Sequence, residues 1–125
     1  MASESATIGY AGEAIVVAYL EELGWQILEK NYHCRYGEID IIARTGDDGL
    51  VFVEVKTYKR HGMTSGRDAM SLAKQKRIVH AIQHFMGYQT LSFDPLFMRV
   101  DLVLATPAVV LEHLSNVIDG ALCFS

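Results

Sequence analysis

Two short segments and the loop between them constrain this chain more than any other feature. Residues 37–44 read GEIDIIAR, residues 50–56 read LVFVEVK, and TGDDG (45–49) separates them. Each segment alternates apolar with polar or contrasting residues, the period of a β-strand. A five-residue loop rich in Gly and Asp is a hairpin connection. The alternation predicts Glu38 and Asp40 on one face of the first strand, with Ile39 and Ile41 on the other. On the second strand it predicts Phe52, Glu54 and Lys56 together, opposite Val51, Val53 and Val55. If the loop is unpaired and no bulge intervenes, Arg44 opposes Leu50, Asp40 opposes Glu54 and Glu38 opposes Lys56. A one-residue slip would put Asp40 and Glu54 on opposite faces.

The rest of the chain supplies elements to cover that hairpin. Residues 7–23 carry Ile8, Ala11, Ile15, Ala18, Tyr19 and Leu23 at helical spacing, with Ser5 or Thr7 as cap and Gly24 as terminator. Residues 25–32 (WQILEKNY) read as a strand. A second helix is expected over 67–87, carrying Ala69, Leu72, Ala73, Ile78, Ala81, Ile82 and Phe85. Residues 97–105 (FMRVDLVLA) read as a mostly buried strand, and 109–114 as a further edge strand. Pro95 and Pro107 mark breaks between elements. The order αβββαβ, with one more possible β, predicts an α/β domain: a mixed sheet flanked by helices.

A chain of 125 residues, half of them hydrophobic, fits one domain over 1–125 with a real core. No apolar run approaches the roughly 18 residues of a bilayer span. The first residues lack the basic and apolar regions of a secretory signal. A cytoplasmic protein that does not enter membranes is therefore expected. In that setting Cys34 and Cys123 are expected as free thiols, and neither sits in a CxxC pair. The net charge of −4 argues against blanket binding to nucleic acid, but its distribution does not. Lys56, Lys59, Arg60, Arg67, Lys74, Lys76 and Arg77 fall between residues 56 and 77 with a single acid, Asp68. Such a basic stretch can track a phosphate backbone on an otherwise acidic chain; the bland alternative is a solvated loop and helix face.

The hairpin register carries chemistry. Opposed side chains have Cβ atoms about 5 Å apart. Two carboxylates that close repel each other unless something positive lies between them. A divalent cation such as Mg²⁺, which takes oxygen ligands and keeps several waters, meets that need. Lys56, on the same face as Glu54, could orient water or hold a phosphate beside the ion. The plain alternative is an exposed ladder of ion pairs among Glu38, Glu54 and Lys56. His80 and His84, at i and i+4, have a spacing that can hold zinc, but no HExxH surrounds them and no third ligand is evident.

GEIDIIA followed by VFVEVK resembles the YraN-like bacterial family, itself similar to the PD-(D/E)XK nucleases of restriction-endonuclease-like fold. The resemblance extends through Gly9, Gly12, Glu13, Asn31, Lys74 and the Arg99-Val100-Asp101 segment. It implies an αβββαβ core and a Mg²⁺- or Mn²⁺-dependent nuclease acting on DNA rather than RNA, with branched or processed structures among its candidate substrates. By this resemblance Asp40, Glu54 and Glu13 would hold the metal, and Lys56 would serve catalysis beside them. Lys59, Arg60, Arg67, Lys74 and Arg77 would contact nucleic acid. Gly9 and Gly12 would let the first helix approach the sheet. Arg99 and Asp101 read more readily as a buried ion pair. The sequence departs from the usual E-V-K-x-R by placing Tyr58 at the arginine position, with Lys59 and Arg60 following. The alternative function is a nucleic-acid-binding module of the same fold without cleavage. A homodimer would suit a domain of this small footprint.

Overall fold

The computed structural model describes residues 4–59, 70–87 and 97–118, with side chains from residue 7 onward. The elements run α1 (Glu4–Glu22), β1 (Gln26–Cys34), β2 (Gly37–Arg44), β3 (Leu50–Thr57), α2 (Leu72–Gly87), β4 (Met98–Ala105) and β5 (Val110–Leu114). The five strands form one sheet in chain order. β3 and β4 pair in parallel over their whole length, and every other pairing is antiparallel. This is the expected restriction-endonuclease-like αβββαβ core with β5 added at the edge. No helix among the described residues is long and apolar enough to cross a membrane.

The sheet is covered on both faces, which is why β3 and β4 read as nearly continuous apolar runs. On one face Ile42, Leu50, Phe52, Val100, Leu102 and Leu104 pack against Ile78, Ala81, Ile82 and Phe85 of α2. On the other, Ile41, Ala43, Val51, Val53, Val103 and Ala105 pack against Val16 and Leu20 of α1.

Both helices differ in detail from expectation. α1 begins at Glu4, so Ser5 and Thr7 lie inside it rather than capping it. Its buried stripe is Gly12, Val16 and Leu20, while Ala18 and Leu23 are exposed. The helix is apolar on most sides, so spacing alone could not fix the stripe. Its end is as expected. Gly24 has φ 88°, Trp25 N donates to Leu20 O, and Gly24 N donates to Glu21 O, the Schellman arrangement. α2 begins at Leu72, because the Ser71 hydroxyl accepts from Lys74 N at 3.2 Å and caps the helix there. Ala69 lies outside the described residues, and Leu72 and Ala73 are exposed rather than core.

At Gly12 α1 lies tight against the sheet. A Cβ there would stand 2.4 Å from Thr57 Oγ1, 2.5 Å from Cγ2 and 3.0 Å from Cβ, so no rotation of Thr57 relieves it. Gly9, by contrast, faces open space and does not serve that approach. Gly12→Ala is expected to destabilise the fold by about 1–3 kcal/mol, read by thermal unfolding. Part of the loss should return in the double variant with Thr57→Ala.

Candidate functional site

The β2–β3 ladder pairs Arg44 with Leu50, Ala43 with Val51, Ile42 with Phe52 and Ile41 with Val53, then stops. The expected Asp40–Glu54 and Glu38–Lys56 rungs therefore do not form. Two local features open the strands. Asn31, on β1 across from this point, has φ 54°, a conformation Asn tolerates better than most residues. Around it the faces exchange: Ile39 packs on the α2 side and Ile41 on the α1 side, against the simple alternation expected. In addition, the Asp40 carboxylate accepts from the Val55 N–H at 2.8 Å, taking the place of a strand-to-strand bond. β3 continues alone beside β4, and a fork opens between Asp40 and Glu54.

The fork gathers carboxylates. Asp40 and Glu54 are close enough for the charge of one to act on the other. Burial, and then the neighbouring Glu54 charge, push the Asp40 carboxyl up to about 7 from its ordinary 3.8. The Val55 N–H opposes this but does not win. In the metal-free protein Asp40 thus stays partly protonated near neutrality, as a buried carboxyl beside another does. Glu54 itself is buried, and its Oε1 meets Lys74 Nζ at 2.6 Å.

Each side of the fork has a hollow. On the α1 side, about 430 Å³ is lined by Gly9, Tyr10, Glu13, Asn31, His33, Glu38 and Asp40. Glu13 is raised above the ordinary carboxyl range there, first by burial and then by Asp40 and Glu38. On the α2 side, about 290 Å³ is lined by Gly37, Glu38, Glu54, Lys74, Arg77 and Ile78. Glu38 borders both hollows, and its carboxylate is 3.3 Å from His33 Nδ1.

The remaining expected residues fall as follows. Lys56 shares the Glu54 side of β3 but is exposed, and no hydrogen bond or ion pair joins it to a described residue. The lysine in contact with Glu54 is instead Lys74, which was expected only as a nucleic-acid contact. No sequence spacing links residues 54 and 74; only the packing of α2 does. Arg77 is exposed beside the same hollow and Lys59 is exposed after β3. Arg60 and Arg67 lie outside the described residues. Tyr58, at the departing position, is buried in the α2-side core with its N–H on Ala105 O. Its role is packing. Cys34 is a free, half-buried thiol; Cys123 lies outside the described residues. Among the described residues no three His, Cys, Asp or Glu side chains are gathered closely enough to hold an ion alone. His84 Nδ1 is engaged by the Tyr32 hydroxyl.

Asp101 forms a separate network. Its carboxylate, fully buried, meets Arg99 Nε at 3.0 Å and His113 Nε2 at 2.8 Å, and accepts from Asn116 N at 2.9 Å. Tyr19 of α1 bonds the other nitrogen of His113. The pair expected between Arg99 and Asp101 is present, and its partners tie α1, β4 and β5 together.

A pH dependence follows from Asp40. The folded, metal-free protein holds the Asp40 proton more tightly than an unfolded chain does. That stabilisation is complete below about pH 4 and is lost as pH rises through about 7. Asn at this position keeps an acceptor for Val55 N–H and supplies a donor to Glu54 without charge. Metal-free Asp40→Asn should therefore be more stable than wild type at pH 8, by about 1–3 kcal/mol, and should lack this slope. Urea unfolding across pH 4–8 measures it.

The model of the uncharacterised protein family UPF0102 matches residues 12–105 of this chain. A UPF0102 protein of Cupriavidus metallidurans is 40% identical over 122 residues, covering 97% of this chain and 88% of its own. A UPF0102 protein of Syntrophus aciditrophicus is 45% identical over 95 residues, 76% and 72% of the two chains. The UPF0102 protein TTE1452 of Caldanaerobacter subterraneus subsp. tengcongensis is 33% identical over 115 residues, 91% and 93% of the two chains.

Proposed function

Since the chain belongs to the uncharacterised protein family UPF0102, its activity has to be read from the fork, and we propose that it is a divalent-metal-dependent nuclease cleaving DNA. The observation that carries this reading is the juxtaposition of Asp40 and Glu54 at the point where β2 and β3 part. Two buried carboxylates held this close destabilise each other when both are ionised. A fold keeps such a pair at no benefit unless a cation takes the proton's place.

The donors fit a hard ion. They are all oxygens, and Mg²⁺ or Mn²⁺ is satisfied by one or two carboxylates with waters and substrate phosphate completing the shell. Asp40 Oδ2 accepts from Val55 N–H and Glu54 Oε1 meets Lys74, so each carboxylate keeps acceptor capacity with which Asp40 and Glu54 would hold the ion. Glu13, across the α1-side hollow, would act through a bound water. When bound, the ion polarises a phosphoryl oxygen and lowers the pKa of a coordinated water. Lys74 steadies Glu54 and would offset charge developing on the scissile phosphate. Lys56, two residues beyond on the same side, supplies a second ammonium group. Arg77 and Lys59, with Arg60 and Arg67, are assigned to the phosphate backbone. A protein of this kind works in the cytoplasm, and a second copy would let so small a domain reach both strands.

One observation favours the reading without cleavage: the 2.6 Å Lys74–Glu54 pair already neutralises one of the two acids. A single panel separates the two. Blunt, nicked, flapped and four-way DNA, with RNA counterparts, are incubated with Mg²⁺ or Mn²⁺ and either wild type or Glu54→Ala. Cleavage that needs both the ion and Glu54 supports a nuclease. Binding without cleavage selects the binding module, and cleavage undiminished in the variant rejects the fork.

A further inference from the structure

We propose that the turn between β1 and β2, with the adjoining ridge of α2, is a stacking subsite for an unpaired nucleobase flanking the scissile phosphate. This rests on reading the fork as the phosphodiester site. Arg35 and Tyr36 form the turn, and Tyr36 stays 38% exposed there. Its ring centroid lies 5.6 Å from that of His80 and 6.2 Å from that of His84, both edge to face. Tyr36, His80, Gln83 and His84 line a hollow of about 440 Å³. That space takes a planar heterocycle and presents ring surfaces to it. The Arg35 guanidinium sits 4.8 Å from the Tyr36 centroid, and its Nη2 donates to the Tyr36 hydroxyl at 2.7 Å. These contacts hold the tyrosine ring in place rather than leaving it to swing in solvent, while the Tyr32 hydroxyl fixes the His84 ring from below.

The hollow and the fork's α2-side hollow are neighbours along the chain. Gly37, directly after Tyr36, borders the α2-side hollow with Glu54 and Lys74. A Cβ on Gly37 would lie 3.5 Å from Arg77 Cβ, so the turn rests on α2. Along α2, Lys74, Arg77, His80 and His84 follow at intervals of three, three and four residues, which is one ridge of a helix. From Lys74 to His84 the axis rises about 15 Å, roughly four nucleotides at their duplex spacing. A cation at the acids, a second cation one turn on and rings beyond is the order a single strand meets when its phosphates track the ridge and a base turns inward. Aromatic rings and guanidinium groups stack with any base, so this subsite reads an unpaired state and not a sequence. In a duplex the base faces are covered by their neighbours, which makes the occupant an overhang, flap or gap.

The test uses the intact chain in EDTA, so that binding is read without cleavage. Fluorescence anisotropy compares a blunt duplex with the same duplex carrying a four-nucleotide overhang. 2-Aminopurine at each overhang position reports stacking by its quenching. Wild type should bind the overhang DNA about 5- to 100-fold more tightly than blunt DNA and quench one position strongly. Tyr36→Ala should lose that preference and the quenching while binding blunt DNA as wild type does; Tyr36→Phe should keep both. Thermal unfolding of each variant checks that the fold is intact. Overhang binding and quenching unchanged in Tyr36→Ala, or equal wild-type affinity for both DNAs, overturns the subsite and leaves the fork reading standing. Failure to bind either DNA also overturns the subsite, while the fork is decided separately by the cleavage panel with Mg²⁺ or Mn²⁺.

Discussion

Asp101→Ala is expected to destabilise the fold by about 3–5 kcal/mol. Asp101 is wholly buried, and three donors converge on it from Arg99, His113 and Asn116. Removing the carboxylate leaves the Asn116 N–H and His113 Nε2 without an acceptor inside the protein, and an unmade buried bond costs about 1–3 kcal/mol. Arg99 is 38% exposed along its side chain and can turn to water, so its share is smaller. Asp101→Asn retains one acceptor and should lose only about half as much. The pH signature opposes that of Asp40. Burial would raise the Asp101 carboxyl, but the His113, Asn116 and Arg99 contacts outweigh it and hold it below the ordinary 3.8. Its contribution is present above that value and disappears as pH falls through the lower folded one. Acid unfolding of Asp101→Asn should therefore begin at higher pH than that of wild type, as followed by circular dichroism.

Glu54→Gln is expected to separate cleavage from binding. The amide keeps the size of the side chain and can still accept from Lys74, but it is a far weaker ligand for a hard ion. Cleavage should fall by at least about 100-fold, the loss typical when one group stabilising developing charge is removed. Affinity for DNA should hold or rise, because an anionic group is withdrawn from the path of the phosphates. A loss of binding parallel to the loss of cleavage would mean that Glu54 supports the fold, and thermal unfolding would reveal it. Lys56→Ala distinguishes the two ammonium groups. Lys56 stands in solvent while Lys74 touches Glu54, so truncating Lys56 should weaken cleavage less than truncating Lys74.

The hairpin was legible because its boundaries rest on local chemistry. Alternation, the Gly- and Asp-rich loop and the Arg44–Leu50 register all come from residues close in sequence, and β2 and β3 begin where expected. Gly24 ended α1 for the same reason. What was not legible depends on partners distant along the chain. The fork exists because Asn31 adopts a left-handed conformation on a neighbouring strand and because β3 is claimed by β4 beyond Val53. Asn31 in an otherwise ordinary strand was the available signal, since Asn is among the few residues that accept that conformation. The substitution of Lys74 for Lys56 beside Glu54 had no signal, because it arises from how α2 lies across the sheet. The Ser71 cap could have been read from Ser-Leu-Ala-Lys, where a hydroxyl precedes a helical run. The apolar period of α2 is sound from Ile78 onward and fails at Leu72 and Ala73, which lie in its first turn but face solvent.

The central claim is that Asp40 and Glu54 together exchange a proton for a divalent cation. Isothermal titration of the protein with Mn²⁺, repeated in buffers of different ionisation enthalpy, counts ions bound and protons released in one experiment. About one Mn²⁺ should bind per chain, with close to one proton released at pH 6 and almost none above about pH 8, and Asp40→Asn combined with Glu54→Gln should bind none. Mn²⁺ bound equally well by that double variant, or bound at pH 6 without proton release, would contradict it.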